Sequence, residues 1–376
     1  MEEKRNVTPT AKSLDTEALL AAFLIFFIIF TIVFTAIMVF GTFSDAEDPQ
    51  AETEETESVD SDNTPPIKRP VFVWTPLSKL PTQTDNTQLI DGINSEHAVL
   101  VNAVTGEIVA SKQGSVRFAP ASMTKVMTLI VAFEHFTVED LDRELEYTQE
   151  IFDYTSSGAY VGTDPLLGGG KNEYTKYLGD RFKIRDLLYG IGVASSAECT
   201  YMICKEISGT ESAFVALMNQ KAAEIGLTDT HFDNAIGHES ENNYTTARDM
   251  AAIMMCAMQC EQIKSILSQK DAYRYEAYYD KDGEETSYNR QFNSTLKDRL
   301  DSYKTTFGSS FFMTTATLQG GKTGYLKENG VVNNCFVSFA TSDTDGTPYV
   351  LVLGCNAKSS AHTMKDVKTV FEKYVK

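Results

Sequence analysis

Ser122 and Lys125 stand three residues apart in the stretch FAPASMTKVMTLIVAFEHF, residues 118–136, just where the chain turns almost wholly apolar. A serine hydroxyl is a poor nucleophile at neutral pH and needs a base within hydrogen-bond reach. Spacing of three on a helix puts the two side chains on one face, and burial strips water from the amine and lowers its pKa toward that of a usable base. The unpaired N–H groups of a helix N-terminus can also stabilise a developing oxyanion beside the attacked carbonyl. None of the five histidines, at 97, 135, 231, 238 and 362, lies in a G-x-S-x-G or other Ser-His-Asp context. Taken alone, Ser-x-x-Lys is weak, and an N-cap serine followed by a first-turn lysine is the competing reading of Ser122. Ser294 and Lys297 match the spacing too, but Asp298, Arg299 and Asp301 follow them, which reads as a solvated helix face.

A second motif, Lys322-Thr323-Gly324 in LQGGKTGYL, opens a predicted strand about two hundred residues later. The elements that must position these residues are legible in outline. HAVLVNAVTGEIVASKQG, residues 97–114, predicts two strands joined at Thr105-Gly106. Met123, Val126, Met127, Ile130 and Val131 recur at helical spacing, with Leu129, Ala132 and Phe133 on the other faces, so this helix is buried all round. RDLLYGIGVA, CTYMICKEISG and ESAFVALMNQKAAEIG predict helices, the last stopped by Gly226, and Thr246 to Asp249 forms a capping box before MAAIMMCAM. GGKTGYL, a hairpin over 335–355 and a closing helix bearing Met364, Val367, Val370, Phe371 and Tyr374 end the chain. Residues 139–182 predict no element. Strands at both ends with helices between predict an α+β domain built on one antiparallel sheet.

Ser-x-x-Lys and Lys-Thr-Gly are two of the three motifs of penicillin-binding proteins and serine β-lactamases. RDLLYGIGVASSAEC and FDNAIGHESENNYTTARDMA also resemble segments of serine-type D-alanyl-D-alanine carboxypeptidases, and the four landmarks fall in the family's order over residues 89–376. The resemblance implies a β-lactamase/transpeptidase-like fold: a sheet of about five strands flanked by helices, with a helical subdomain. It implies that Ser122 is the acyl-forming nucleophile and Lys125 its general base. It further implies that Ser195 relays a proton to departing D-alanine, that Lys322 and Thr323 of the Lys322-Thr323-Gly324 strand hold the terminal carboxylate, and that the N–H groups of Ser122 and Tyr325 form the oxyanion hole. Peptidoglycan stem peptides are the implied substrate and β-lactams the implied covalent inhibitors, with no metal and no cofactor. One departure stands out: the family's S-x-N becomes Ser195-Ser196-Ala197. Ala235, where the family often has proline, bears on a turn. Two alternatives remain: a β-lactamase, for which no glutamate-bearing loop is evident after Asp186, and a catalytically weak or inactive wall-binding or sensing domain.

Residues 18–43 carry no charge, and at about 1.5 Å per residue they are long enough to cross a bilayer core of roughly 30 Å. They read as a membrane anchor, with a cleaved secretory signal as the competing reading. Lys4, Arg5 and Lys12 precede the span, which keeps residues 1–17 inside and sends the domain out of the cell. Residues 44–88 read as an acidic, disordered tether, since nine acids between Asp45 and Asp62 meet no base until Lys68. With a formal net charge of −19 and no clustered Lys and Arg, the chain is not a nucleic-acid binder. The six cysteines all lie at or after Cys199. Cys335 and Cys355 face each other if their hairpin is centred near Asp345, unless a bulge slips the register, so a cross-strand disulfide and two reduced thiols both stand as readings. Cys256 and Cys260 have helix-face spacing but no further ligands nearby for zinc.

Overall fold

Alternation decides the main sheet. On β2 (His97–Asn102), Val99 and Val101 pack into one apolar cluster while Ala98 and Leu100 pack into another on the opposite face. On β10 (Pro348–Asn356), Val350 and Val352 divide from Leu351 and Leu353 in the same way. A period of two with apolar residues at every position is what a strand covered on both faces requires. The computed structural model describes residues 69–156, 178–328 and 331–376. Within them the main sheet has six strands in the order β1-β3-β2-β10-β9-β8, completed by β1 (Gln88–Leu89), β3 (Ile108–Lys112), β8 (Ala316–Glu328) and β9 (Val331–Ser342). All neighbours are antiparallel except the short β1, which runs parallel to β3. The expected five-strand sheet therefore gains a strand, and the Lys-Thr-Gly strand β8 lies at its edge.

One face carries α1 (Lys125–His135), buried at every position from Lys125 to Phe133. Around it pack α4 (Ala197–Ser208), α5 (Glu211–Ile225) and α6 (Ala247–Ala257). Gly226 ends α5 in the left-handed region, and the Thr246 hydroxyl accepts from the Asp249 N–H at 3.0 Å to start α6, as the capping pattern predicts. The other face is covered by α8 (Thr295–Phe307) and α9 (Ser360–Tyr374).

Several expectations are corrected. Residues 139–182 are not bare: β4 (Glu144–Glu146), α2 (Gln149–Ser156) and β5 (Arg181–Lys183) lie there. With β6 (Tyr273–Lys281) and β7 (Glu284–Phe292), the strands β4 and β5 form a second, four-stranded antiparallel sheet. The β6–β7 turn at Asp282-Gly283 has both residues at positive φ, a hairpin signal present in the sequence. Residues 69–88 lie on the domain rather than in a free tether. The Val71 N–H donates to the Phe136 carbonyl at 2.7 Å and the Thr82 N–H to the Gly106 carbonyl at 2.9 Å. Phe72 is buried, so the apolar run PVFVW supplies what the acidic segment before it lacks. Cys256 and Cys260 do not share a helix, because Cys260 is the N-cap of α7 (Glu261–Ser268). The 18–43 span and the acidic run 45–62 lie outside the described residues. Among the described residues no helix is long and apolar enough to cross a membrane.

Candidate active site

Ser122 sits on a single 3-10 turn, Ala121–Thr124, that leads directly into α1. Ala121 before it has φ +52°, a left-handed conformation that costs an L-residue energy and persists only where the surroundings hold it. Those surroundings are two glycines. Gly237, at φ +80°, lies so close to the Ala121 carbonyl that a Cβ would overlap it, and Gly324 leaves just enough room for the Ala121 methyl. The nucleophile turn is thus gripped between the 234–238 loop and β8.

Lys125 is fully buried. Its Nζ donates to Ser122 Oγ at 3.3 Å and to the Ile236 carbonyl at 2.6 Å. Desolvation pulls its pKa down to about 7, while the negative charges of Glu198 and Glu211 hold it partly up. Thr128, one turn later, donates to the Ala235 carbonyl at 2.8 Å, so α1 fixes the same loop twice. That loop is shaped by Asn234, whose Oδ1 accepts from the N–H groups of Gly237 and His238, each at 2.8 Å. Ala235 donates its own N–H to Glu211 at 3.1 Å, a bond that a proline there cannot make.

Ser195 follows α3 (Ile184–Tyr189) and a wide turn over 190–194, and takes φ +62°. Its Oγ accepts from Lys322 Nζ at 2.9 Å. Lys322 is also fully buried, its Nζ donating to the Thr323 carbonyl at 3.0 Å as well. Desolvation, followed by the positive charges of Lys125 and Arg299, holds its pKa well below the ordinary lysine value. Ala197 opens α4 and is fully buried. Ser196 caps that helix, its Oγ accepting from the Cys199 N–H at 3.2 Å and donating to Glu198 at 3.0 Å.

The structure therefore gathers Ser122, Lys125, Ser195, Lys322, Thr323 and Gly324 around one place, with Tyr325 exposed beside them. A cleft of about 430 Å³ opens from Ser122 between residues 236–239 on one wall and Tyr325, Leu326 and Lys327 on the other. Residues of β8 line this cleft, and among the described residues β8 is the last strand at that end of its sheet.

Sequence reasoning missed that the helix begun at Ser294 turns one face inward and holds β8 in place. Ser294 is the buried N-cap of α8 and Arg299 turns inward, whereas Lys297, Asp298 and Asp301 form the solvated face that the sequence predicts, with Lys297 paired to Asp301. Thr295 accepts from the Thr323 hydroxyl at 2.8 Å and donates to the Val193 carbonyl at 3.1 Å, linking the Lys-Thr-Gly strand to the turn before Ser195. The buried Arg299 guanidinium donates to the Gly324 carbonyl at 2.7 Å, and desolvation lowers its pKa to about 10. Its charge among Asp298, Asp301 and Lys297 gave no sign that it turns inward. Glu198 was likewise missed, although it sits three residues beyond Ser195.

A serine beside a buried lysine at the head of a central helix, faced by a Lys-Thr-Gly edge strand and a second serine, is the site architecture of the transpeptidase-like serine–lysine proteins. Residues 82–356 match the family model described as Peptidase S11, D-alanyl-D-alanine carboxypeptidase, and the chain belongs to that family. It is 29% identical over 180 residues to the D-alanyl-D-alanine carboxypeptidase DacF of Bacillus subtilis, covering 48% of this chain and 43% of DacF. To DacC of Escherichia coli it is 25% identical over 185 residues, covering 49% and 43%. These alignments span less than half the length of those relatives. In three dimensions it resembles the Streptomyces K15 DD-transpeptidase, with a TM-score of 0.59 and 22% identity over 76% of this chain and 97% of that one. It also resembles a D-alanyl-D-alanine carboxypeptidase of Mycobacterium tuberculosis, with a TM-score of 0.55, 21% identity and coverage of 77% and 94%. At those identities the likeness establishes the fold.

Proposed function

We propose that this chain is a membrane-tethered, serine-type D-alanyl-D-alanine carboxypeptidase that removes the terminal D-alanine from peptidoglycan pentapeptides outside the cell and is acylated by β-lactams. The single observation that carries the reading is the Lys125 amine, fully buried, drawn down to a pKa of about 7 and 3.3 Å from Ser122 Oγ. A lysine kept for charge or solubility has no reason to be there.

In the proposed reaction the Ser122 hydroxyl passes its proton to neutral Lys125 while Oγ attacks the carbonyl of the penultimate D-alanine. The negative charge that develops on that oxygen is met by the N–H groups of Ser122 and Tyr325. Lys322 and Thr323 hold the substrate's terminal carboxylate on the β8 edge, the cation and hydroxyl giving charge-assisted bonds. Collapse of the tetrahedral intermediate breaks the peptide bond, and the departing amine takes, through Ser195, the proton that Lys125 accepted, which leaves Lys125 neutral again; Lys322 holds Ser195 by a hydrogen bond. Water then hydrolyses the Ser122 ester, with Lys125 again the base. The rest of the peptide lies in the cleft between 236–239 and 325–327. The amide that the family's S-x-N asparagine provides is missing at Ala197, a loss of roughly 1–3 kcal/mol, or about ten- to a hundredfold in rate, that slows such an enzyme without disabling it.

Fluorescent penicillin tests this directly. The wild-type chain gives a covalently labelled band and Ser122→Ala gives none, and incubation with a pentapeptide muropeptide releases a single D-alanine by mass. A chain that binds penicillin reversibly but is never labelled, and leaves the pentapeptide intact, is a wall-binding domain and the proposal fails.

A further inference from the structure

The hairpin cysteines lie at a point in the fold that the catalytic reading leaves unused. β9 and β10 are in register from Pro348–Thr341 to Leu353–Phe336, then slip, and resume at Asn356–Asn334. Gly354 and Cys355 on β10 therefore oppose the single residue Cys335 on β9, the two-against-one count of a β-bulge. Cys355 takes φ +55° there, a conformation that a non-glycine residue adopts only when its surroundings require it. The bulge sets Cys355 beside Cys335 at the same level of the ladder, near enough for each thiol to shift the other's proton affinity.

The surroundings of this pair are specific. Cys335 is directly opposite Gly324 of the Lys-Thr-Gly strand in the β8–β9 ladder. Its sulfur reaches the Ala119 carbonyl at 4.0 Å, on the segment that enters the nucleophile turn. Gly354 lies against the Phe118 ring so closely that no Cβ fits. Behind Ser122, then, the two strands meet the 118–121 segment through the Cys335 thiol and through Gly354 of the bulge. Cys335 is fully buried, whereas Cys355 is partly accessible. The other four cysteines, Cys199, Cys204, Cys256 and Cys260, are all buried thiols on or beside α4, α6 and α7.

We propose that Cys335 and Cys355 are a disulfide-forming site that ties β9 to β10 at the bulge beneath the acylation segment. The oxidant is a disulfide, either a small-molecule one such as glutathione disulfide or that of a thiol oxidoreductase. Interaction with the Cys335 side chain and burial push the Cys355 thiol up, so the Cys335 thiolate takes its proton as the accessible Cys355 sulfur attacks the oxidant's disulfide, forming a mixed disulfide and releasing one thiolate that carries that proton away. Cys335 then attacks the Cys355 sulfur, closing the internal bond and releasing the oxidant's second thiolate. Two thiols of the chain thus give up two electrons and two protons, and the oxidant becomes two thiols. Interaction with the Cys355 side chain, then with its backbone, and last the Arg299 charge hold the Cys335 thiol below the ordinary thiol value against the opposing effect of burial, which suits it to the second, displacing step.

The test uses the full chain equilibrated with glutathione disulfide or with glutathione, free thiols then being trapped by alkylation in denaturant and the peptides mapped without reduction. The expected result is one internal link, Cys335 to Cys355, with a mass lower by two hydrogen atoms and the other four cysteines alkylated. Closing this short loop raises the midpoint of thermal unfolding by about 5–10 °C over the reduced chain. The rise disappears in Cys355→Ala and in Cys335→Ala and persists in Cys256→Ala. Alkylation of both hairpin cysteines after treatment with glutathione disulfide overturns the proposal, as does a link that involves any of the other four. Peptide mapping needs no turnover, so this outcome is independent of whether Ser122 is labelled by penicillin.

Discussion

Lys125 Nζ lies 3.3 Å from Ser122 Oγ and 2.6 Å from the Ile236 carbonyl, so the amine is aimed at the hydroxyl by a backbone acceptor contributed from 111 residues further along the chain. The same burial that aims it also sets its proton affinity.

The acylation rate therefore depends on pH through Lys125. The amine is a base only when neutral, so the second-order rate of labelling by penicillin rises through about pH 7 as its proton is lost. Glu198 holds that pKa partly up, so Glu198→Gln moves the rising limb to lower pH. A limb that stays in place, or moves upward, removes Glu198 from the electrostatics of the base.

Arg299 holds the Lys-Thr-Gly strand through the Gly324 carbonyl. Replacing it by leucine deletes a charged hydrogen bond in a buried place, and kcat/KM for the carboxypeptidase reaction falls by about ten- to a hundredfold, roughly 1.5–3 kcal/mol. Steady-state kinetics on a D-Ala-D-Ala peptide, beside a thermal melt, reads the effect. Unchanged kinetics means that the strand keeps its place without the guanidinium.

Thr295 is expected to act on substrate through Thr323. Thr295→Val breaks the hydroxyl chain to Val193 and raises KM by about fivefold, near 1 kcal/mol, for a peptide with a free terminal carboxylate. A peptide amide lacking that carboxylate shows no such rise. Equal effects on both substrates mean that Thr295 serves only packing.

Gly237 has a positive φ and no space for a side chain beside the Ala121 carbonyl. Gly237→Ala forces backbone to move at the nucleophile turn, lowering stability by about 2–4 kcal/mol and slowing penicillin labelling at temperatures where the variant is still folded. Denaturant unfolding with parallel labelling measures both. Gly92→Ala, at φ +71° with open space around it, is the control that separates the effect of conformation from that of the clash.

Ala197 is the family departure. Ala197→Asn restores an amide at the head of α4 and raises kcat/KM about tenfold, while the larger side chain in a fully buried position costs about 1–3 kcal/mol of stability. A variant that folds normally without any gain in rate shows that this site has dispensed with the amide.

What the sequence determined by itself was whatever is written within one element. The apolar period of α1, the capping box at Thr246, the Gly226 stop and the two apolar runs of the closing hairpin are local patterns, and each appears in the fold where its pattern lies. Ser122 and Lys125 belong here too, because three residues of helix or 3-10 turn bring them together whatever the rest of the chain does. The second sheet was half legible, since Asp282-Gly283 marks its hairpin, but β4 and β5 are three residues each and owe their existence to pairing rather than to any pattern of their own.

Only the tertiary structure decided which charged groups face inward. Arg299, Glu198 and Lys322 carry the same side chains as solvated residues, and nothing adjacent in the sequence marks them as buried. Their partners, the Gly324 carbonyl, Ser196 and Ser195, come mostly from other elements, and desolvation arises from everything packed around a group. The pKa of Lys125 is therefore a property of the assembled domain, whereas its distance from Ser122 was fixed by local geometry.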